Sequence, residues 1–312
     1  MVVDGGSKVR HMKVAVVVLN WNGKEYICSC LDLLKRLKTD NHRVEIIIVD
    51  NASTDGSVKL LSRLYPNFTL IENVTNLGYA EGNNVGIRYA QHQGTDFIWI
   101  VNPDAYVDPA ALVELVSTAG KYPNSGILGS KIYFAPGFEF EKRYRQLDLG
   151  QVLWFAGGKM DWANVIANHL GINEVDHGQF DFVSHTDFIN GASMLLRTKM
   201  LDEIGVIDPK YYLYYEENDL CQRAKAAGWE LWYVPTSRVW HANAQSTGVG
   251  SPLVDYYTTR NRLLFGMRWA PWRAKLALLR ESVKLLLSGR RWQRQGVADF
   301  YLARFGKGTY VD

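Results

Sequence analysis

A chain of 312 residues, 47% of them hydrophobic, has the material for one large α/β domain or two smaller ones with a continuous core. It has no apolar run of about 18 residues and no N-terminal succession of charged, apolar and small residues, so neither a transmembrane helix nor a signal peptide is predicted and the cytoplasm is expected. The net charge of +3 is uneven: residues 268–294 hold eight basic side chains against Glu281, a local +7 that leaves the remainder at −4, which fits one basic segment better than a nucleic-acid-binding fold.

In chain order, residues 1–12 are polar and unpatterned and are expected to form a disordered lead. Val14 to Leu19 predicts a buried strand and Cys30 to Leu37 a helix; Val44 to Val49 is the next strand, and Ser57 to Tyr65 a helix with Asp55 or Ser57 as N-cap. A short strand at Thr69 to Glu72, a helix at Asn83 to Gln91, a strand at Phe97 to Val101 and a helix at Pro109 to Ala119 follow. This alternation predicts an α/β fold with a doubly wound, mostly parallel sheet flanked by helices. From Ile127 to about Asp187 the pattern is irregular and rich in aromatics and glycine, which reads as a substrate-binding excursion. Order returns with a strand at Ala192 to Arg197, helices at Thr198 to Ile204 and Asn218 to Ala227, a strand at Glu230 to Val234, and helix from Tyr256 to about Leu287. Cys28, Cys30 and Cys221 are odd in number and lack zinc spacing, so plain thiols are expected.

Short polar motifs follow the apolar runs: Val49-Asp50-Asn51-Ala52-Ser53-Thr54-Asp55-Gly56-Ser57, Asn102-Pro103-Asp104, Tyr214-Tyr215-Glu216-Glu217-Asn218-Asp219 and Trp240-His241. Polar residues at the C-terminal ends of buried parallel strands face the crevice where open α/β sheets bind nucleotides. The glycines of Asn76 to Gly86 lack the Gly-x-Gly-x-x-Gly spacing, which disfavours a Rossmann dehydrogenase. Asn20-Trp21-Asn22-Gly23-Lys24 does not supply the glycine-rich basic loop of a sugar nucleotidyltransferase.

With Val18 to Gly23, Asn76 to Gly86, Phe188-Ile189-Asn190-Gly191-Ala192 and Tyr256 to Asn261, these motifs resemble those of the family 2 glycosyltransferases over roughly residues 12–265. These are inverting enzymes of the GT-A fold that take a sugar from a nucleotide diphosphate, and the chain looks closest to the rhamnosyltransferase-like branch that builds bacterial surface polysaccharide. The resemblance implies a GT-A domain over residues 13–265, its nucleotide-binding half at 13–126 and its acceptor-binding half at 127–265, with a basic helical extension at 266–312. It implies transfer of a sugar, rhamnose among the candidates, from a UDP- or dTDP-sugar to a saccharide or lipid-linked acceptor.

The resemblance also assigns roles. Asp50, a strand-end carboxylate able to accept from the imide N–H of uracil or thymine, would read the base, with Asn20, Asn22 and Asn51 in the same pocket; Asn76, Gly78 and Asn84 would wall the donor site. Asn102-Pro103-Asp104 stands where the family has its metal-binding Asp-x-Asp, so Asp104, joined by His241, would hold Mn2+ or Mg2+ against the diphosphate. Glu217 stands where the family has its general base, with Glu216 and Asp219 as rivals, and three acids at a helix start are also what dipole compensation produces. Arg260, in an Arg-Asn pair, would meet phosphate. The Asn102 and Glu217 departures leave open a catalytically silent nucleotide-sugar-binding or membrane-surface scaffold. In the basic segment Leu276, Leu279, Val283, Leu286 and Leu287 fall on one helical face between tryptophans, a pattern shared by a helix lying on an anionic membrane and by one packed on the core.

Overall fold

The computed structural model describes residues 11–141, 143–242 and 250–311, so the lead expected at 1–12 lies almost wholly outside the described residues. The first half alternates as expected: β1 (Lys13–Asn20), α1 (Ile27–Leu34), β2 (Arg43–Asp50), α2 (Ser57–Leu64), β3 (Thr69–Glu72), α3 (Gly78–His92) and β4 (Phe97–Val101). After β5 (Ala105–Val107) and α4 (Ala111–Lys121) comes β6 (Ser125–Phe134), then β7 (Leu153–Phe155), β8 (Gly158–Asp161), β9 (Ile166–His169) and β10 (Ser184–His185). The chain continues through β11 (Ser193–Arg197), α5 (Thr198–Ile204), α6 (Glu216–Ala226) and β12 (Glu230–His241), and ends in α7 (Pro252–Trp269), α8 (Trp272–Ser288) and α9 (Arg291–Tyr301).

The main sheet runs in the order β10-β12-β6-β11-β4-β1-β2-β3. β3, β2, β1, β4, β6 and β12 point the same way, and β11 is inserted antiparallel between β4 and β6. β1 and β4 are Val/Ile-rich and buried along almost their whole length, as a sheet covered on both faces requires.

β6 is buried at every position, yet it lies inside the stretch whose pattern reads as irregular. Gly126, Gly129, Ser130 and Lys131 dilute its apolar signal. The Lys131 ammonium is fully buried and is neutralised by Asp176 (2.7 Å) and by Asp181, both from the excursion, which staples that excursion to the sheet. β12 also extends beyond its expected end, passing an irregularity between Val234 and Arg238 where Pro235 interrupts the ladder, and reaches His241. All three cysteines are free thiols, and burial raises those of Cys30 and Cys221.

The boundary expected at residue 265 falls inside α7. Leu263, Phe265, Ala270, Ala274, Leu278 and Val297 belong to the same buried core as the sheet, so the C-terminal helices are continuous with the sheet-bearing body. α8 packs inward through Ala274, Leu278 and Ser282 and leaves Trp272, Leu276, Val283, Leu286 and Leu287 exposed on its other face. No described helix is long and apolar enough to cross a membrane.

Candidate active site

Parallel register sets Asn20 opposite Asp50, so the two strands end side by side. The Asn20 amide donates to Asp50 Oδ2 (2.8 Å), Ser53 Oγ (3.1 Å) and Ser57 Oγ (2.9 Å), and Asp50 Oδ1 accepts from the Ser53 N–H (2.8 Å). Next to them Asn51 uses its whole amide. Its oxygen accepts from Asn73 Nδ2 and the Leu77 N–H, and its nitrogen donates to Asn76 Oδ1 and the Gly78 carbonyl, all at 3.0–3.1 Å. One buried side chain thereby fixes the loop leading into α3, and this forms the first wall of a pocket.

The second wall is the tyrosine loop before α6. Tyr212, Tyr214 and Tyr215 adopt left-handed backbone (φ 66, 68 and 71°), each costing roughly 1–2 kcal/mol for a residue with a Cβ. α7 compensates them. Asn261 Nδ2 donates to the carbonyls of Tyr211, Leu213 and Tyr214, each at 2.8 Å, and Arg260 Nη2 donates to the Tyr211 (2.9 Å) and Lys210 (3.3 Å) carbonyls. The Tyr212 carbonyl accepts from the Tyr79 and Ala80 N–H groups, satisfying two donors at the start of α3 and joining the walls. Gly78 sits there with φ +77°, and a Cβ at that position would overlap the Tyr212 ring.

Out of this strained loop α6 begins at Glu216, which is 4% exposed. Burial, then the charge of Glu217, raises the Glu216 carboxyl well above its ordinary range. Burial pushes Glu217 up to about 6, held back by the Glu217 and Asn218 N–H groups of the helix start and by a hydrogen bond from Glu216. Both carboxyls are thus raised by burial, and the two titrate as a pair.

Asp104 lines the pocket, whereas Glu216, Glu217 and His241 lie outside its lining. β5 pairs antiparallel with β12, Ala105 opposite His241, and the Ala242 N–H donates to the Asp104 carbonyl (2.9 Å), so the metal candidates meet by sheet register. His241 Nε2 lies 3.1 Å from Asp104 Oδ1, yet that buried oxygen has no hydrogen-bond donor among the described residues. A ring nitrogen and a carboxylate oxygen set side by side without a hydrogen bond suit convergence on a shared cation. The Trp154 ring stacks face to face on His241 (centroids 4.4 Å apart, planes 3° from parallel) and fixes the imidazole plane. No group of three metal-ligating side chains occurs among the described residues, so these two would be the protein's share of an ion completed by phosphate and water. Tyr79 lies between the two sets: burial, then the charges of Glu216, Glu217 and Asp104, raise its phenol, whose hydroxyl donates to the Gly191 carbonyl (2.8 Å).

Of the residues singled out in the sequence, Asn51, Asn76, Gly78, Asn102 and Asp104 line one pocket with Tyr79, Tyr212 and Tyr257. Asn20 and Asp50 lie beneath it, Asp50 only 1% exposed. Asn22 is on the exposed loop beside it, its amide oxygen accepting from the Thr54 N–H (2.8 Å). Three expectations are corrected. Asn84 bonds the backbone of Ile207 through both ends of its amide and does not face the pocket. Asp219, on α6, is fully buried, accepting from Arg223, Arg268 and Trp269, and cannot serve as a base. Arg260 is fully buried behind the tyrosine loop, its guanidinium committed to protein oxygens, so it cannot meet phosphate. Tyr79, Tyr212, Tyr257, Lys307 and Tyr310 were missed; the doublets Tyr211-Tyr212, Tyr214-Tyr215 and Tyr256-Tyr257 were the available signal.

Among curated proteins, the chain is similar to an N-acetylglucosaminyl-diphospho-decaprenol L-rhamnosyltransferase of Mycobacterium tuberculosis, 27% identical over 259 residues that cover 78% of this chain and 81% of that one. It is also similar to the rhamnosyltransferase WbbL of Escherichia coli, 24% identical over 289 residues covering 90% and 97%. The fold matches that of the mannosyltransferase PcManGT from Pyrobaculum calidifontis, solved with GDP-Man and Mn2+, at a TM-score of 0.56 and 18% identity over 95% of this chain and 75% of that one. The arrangement is thus an α/β GT-A fold with a helical C-terminal region. The family Glycosyl transferase family 2 matches residues 15–205, and the chain belongs to it: a glycosyltransferase of rhamnosyltransferase-like type.

Proposed function

We propose that this protein moves a hexosyl group, rhamnose among the candidates, from a UDP- or dTDP-sugar to a saccharide or lipid-linked acceptor with inversion, in cell-surface polysaccharide synthesis. The observation that carries this reading is geometric: the buried Glu216–Glu217 pair and Asp104 are both close enough to act on the Tyr79 phenol, and His241 Nε2 lies 3.1 Å from Asp104 Oδ1. Glu217 takes the proton of the acceptor hydroxyl as its oxygen bonds to the anomeric carbon, and the bond from that carbon to the diphosphate breaks with its electron pair leaving on phosphate. Glu216 donates to Glu217 and holds it in place. Asp104 and His241 would hold a divalent ion, Mn2+ or Mg2+, which when bound neutralises charge on the departing diphosphate. Asn51, Asn76 and Gly78 shape the donor side, and Asp50 anchors the loop beneath it.

Release of UDP or dTDP from activated sugars, measured with an acceptor panel, tests this. Turnover is expected with Mn2+ or Mg2+ and not in excess EDTA, and Asp104→Ala is expected to lose metal-dependent turnover while keeping its fold. Full activity in EDTA would remove the metal from the account.

The exposed face of α8 supports a place for this reaction. Trp272, Leu276, Val283, Leu286 and Leu287 form an apolar stripe flanked by Arg273, Arg280 and Lys284, the composition of a helix seated on an anionic lipid surface from the cytoplasmic side. Full-length protein is expected to sediment with anionic vesicles at low salt and to be released by high salt, whereas Leu287→Asp with Val283→Asp stays in the supernatant. Wild-type protein that ignores such vesicles would leave the stripe without this role.

A further inference from the structure

The pocket has one boundary that belongs to neither wall: the segment after α9, which folds back over α7. Asp299 on α9 is fully buried and anchors this segment, accepting from the Thr309 N–H (2.9 Å), Thr309 Oγ1 (2.6 Å) and the Tyr256 hydroxyl. The Gly306 N–H donates to the Lys210 carbonyl (2.9 Å), and the Tyr257 hydroxyl donates to the Lys307 carbonyl (3.0 Å). Gly308, with φ +62°, packs so closely that a Cβ would overlap the Tyr256 hydroxyl and crowd Arg260. The backbone of Gly306-Lys307-Gly308 is therefore fixed from below, while the Lys307 side chain stays exposed and lines the pocket.

Lys307 is the sole basic side chain among the described residues that line this pocket, and none of the described carboxylates pairs with it. Arg260, the cation expected from the sequence to bind phosphate, lies behind the loop with its donors used. We propose that the Lys307 ammonium binds the oxygens of a diphosphate seated in this pocket, so that the C-terminal segment completes the substrate site. The inference rests on the reading of the pocket as the site of a diphosphate substrate. That chemistry has two sources: the nucleotide diphosphate of the donor, or the diphosphate of a lipid-linked acceptor.

The test is calorimetric titration of the full-length protein with inorganic pyrophosphate, UDP, dTDP, uridine and geranyl diphosphate, run in Mg2+ and again in EDTA, binding being scored as absent only where both conditions lack it. Lys307→Ala is expected to weaken pyrophosphate about ten- to hundred-fold, the range one charge-assisted hydrogen bond carries, and to leave uridine unchanged. Lys307→Arg should keep most of the affinity, and Lys199→Ala, which removes an exposed charge on α5, should keep all of it. A loss confined to UDP and dTDP among the organic probes assigns Lys307 to the donor; a loss confined to geranyl diphosphate assigns it to the acceptor. Wild type and Lys307→Ala binding every diphosphate equally would overturn the role of Lys307 and spare the pocket. Wild type binding no diphosphate would overturn both.

Discussion

The two walls of the pocket are built by opposite means. The first is local: Asn20, Asp50 and Asn51 stand at the ends of adjacent parallel strands and bond loops within about thirty residues of themselves. The second is a run of left-handed tyrosines that no local interaction would favour, held by Asn261 and Arg260 from a helix almost fifty residues later. The wall on the proposed nucleotide side is stable by its own hydrogen bonds; the wall that carries Glu217, the proposed base, stores strain and borrows its stability from α7. Strain at a functional loop is sustained only where the surroundings over-determine it.

Breaking the second wall at its chemical end should give the largest effect. Glu217→Gln is expected to lower turnover about 10²–10⁴-fold while leaving UDP or dTDP affinity nearly intact, because a positioned base acts on the acceptor and not on the donor. Glu216→Gln, which keeps a hydrogen-bond donor beside Glu217, is expected to keep most of the turnover. If the Glu216 variant loses as much as the Glu217 variant, the base belongs to the pair and not to Glu217.

Breaking the same wall at its support should come next. Asn261→Ala leaves the Leu213 and Tyr214 carbonyls without their side-chain donor, Tyr211 keeping Arg260, and is expected to cost about 2–4 kcal/mol in chemical denaturation, with turnover falling because the start of α6 loosens. Asn51→Ala in the first wall is expected to cost about 1–3 kcal/mol and to weaken nucleotide binding, while the pH profile of turnover keeps its position. If Asn51→Ala shifts that profile as far as Asn261→Ala does, the walls are not independent.

The smallest effect is electrostatic. With Glu217 raised to about 6 in the folded protein, turnover should rise with pH through about 6 as the base ionises. Stability has the opposite sign: the raised group contributes fully below its unfolded value near 4.5 and loses that contribution as pH climbs through about 6. Glu217→Gln should therefore melt higher than wild type at pH 7.5, by on the order of 1 kcal/mol, and show no such gain at pH 4. An equal difference at both pH values would separate the stability change from ionisation.

How much of this was legible in the sequence follows the same division. β3, β4 and α5 stand where the residues predict them, and Asp104 with His241 could be named because strand-end polar motifs announce themselves. β6 was hidden because glycine, serine and a buried lysine broke its apolar run, and that lysine is tolerable only with Asp176 and Asp181 arriving from some fifty residues away. Arg260 and Asp219 carry the residue types of phosphate binding and catalysis, but packing turned both into buried structural partners. Lys307 offered no signal at all, since its place in the pocket depends on α9 and on the anchor at Asp299.

The most direct test of the central claim, one base on one wall and a departing diphosphate on the other, is the anomeric configuration of the product. With a donor and acceptor that support turnover, proton NMR of the product formed by the wild-type protein reads it directly, since a glycosidic bond does not mutarotate. Single displacement assisted by Glu217 predicts a new glycosidic bond of configuration opposite to that of the sugar in the donor. A product that keeps the donor's configuration would contradict the account.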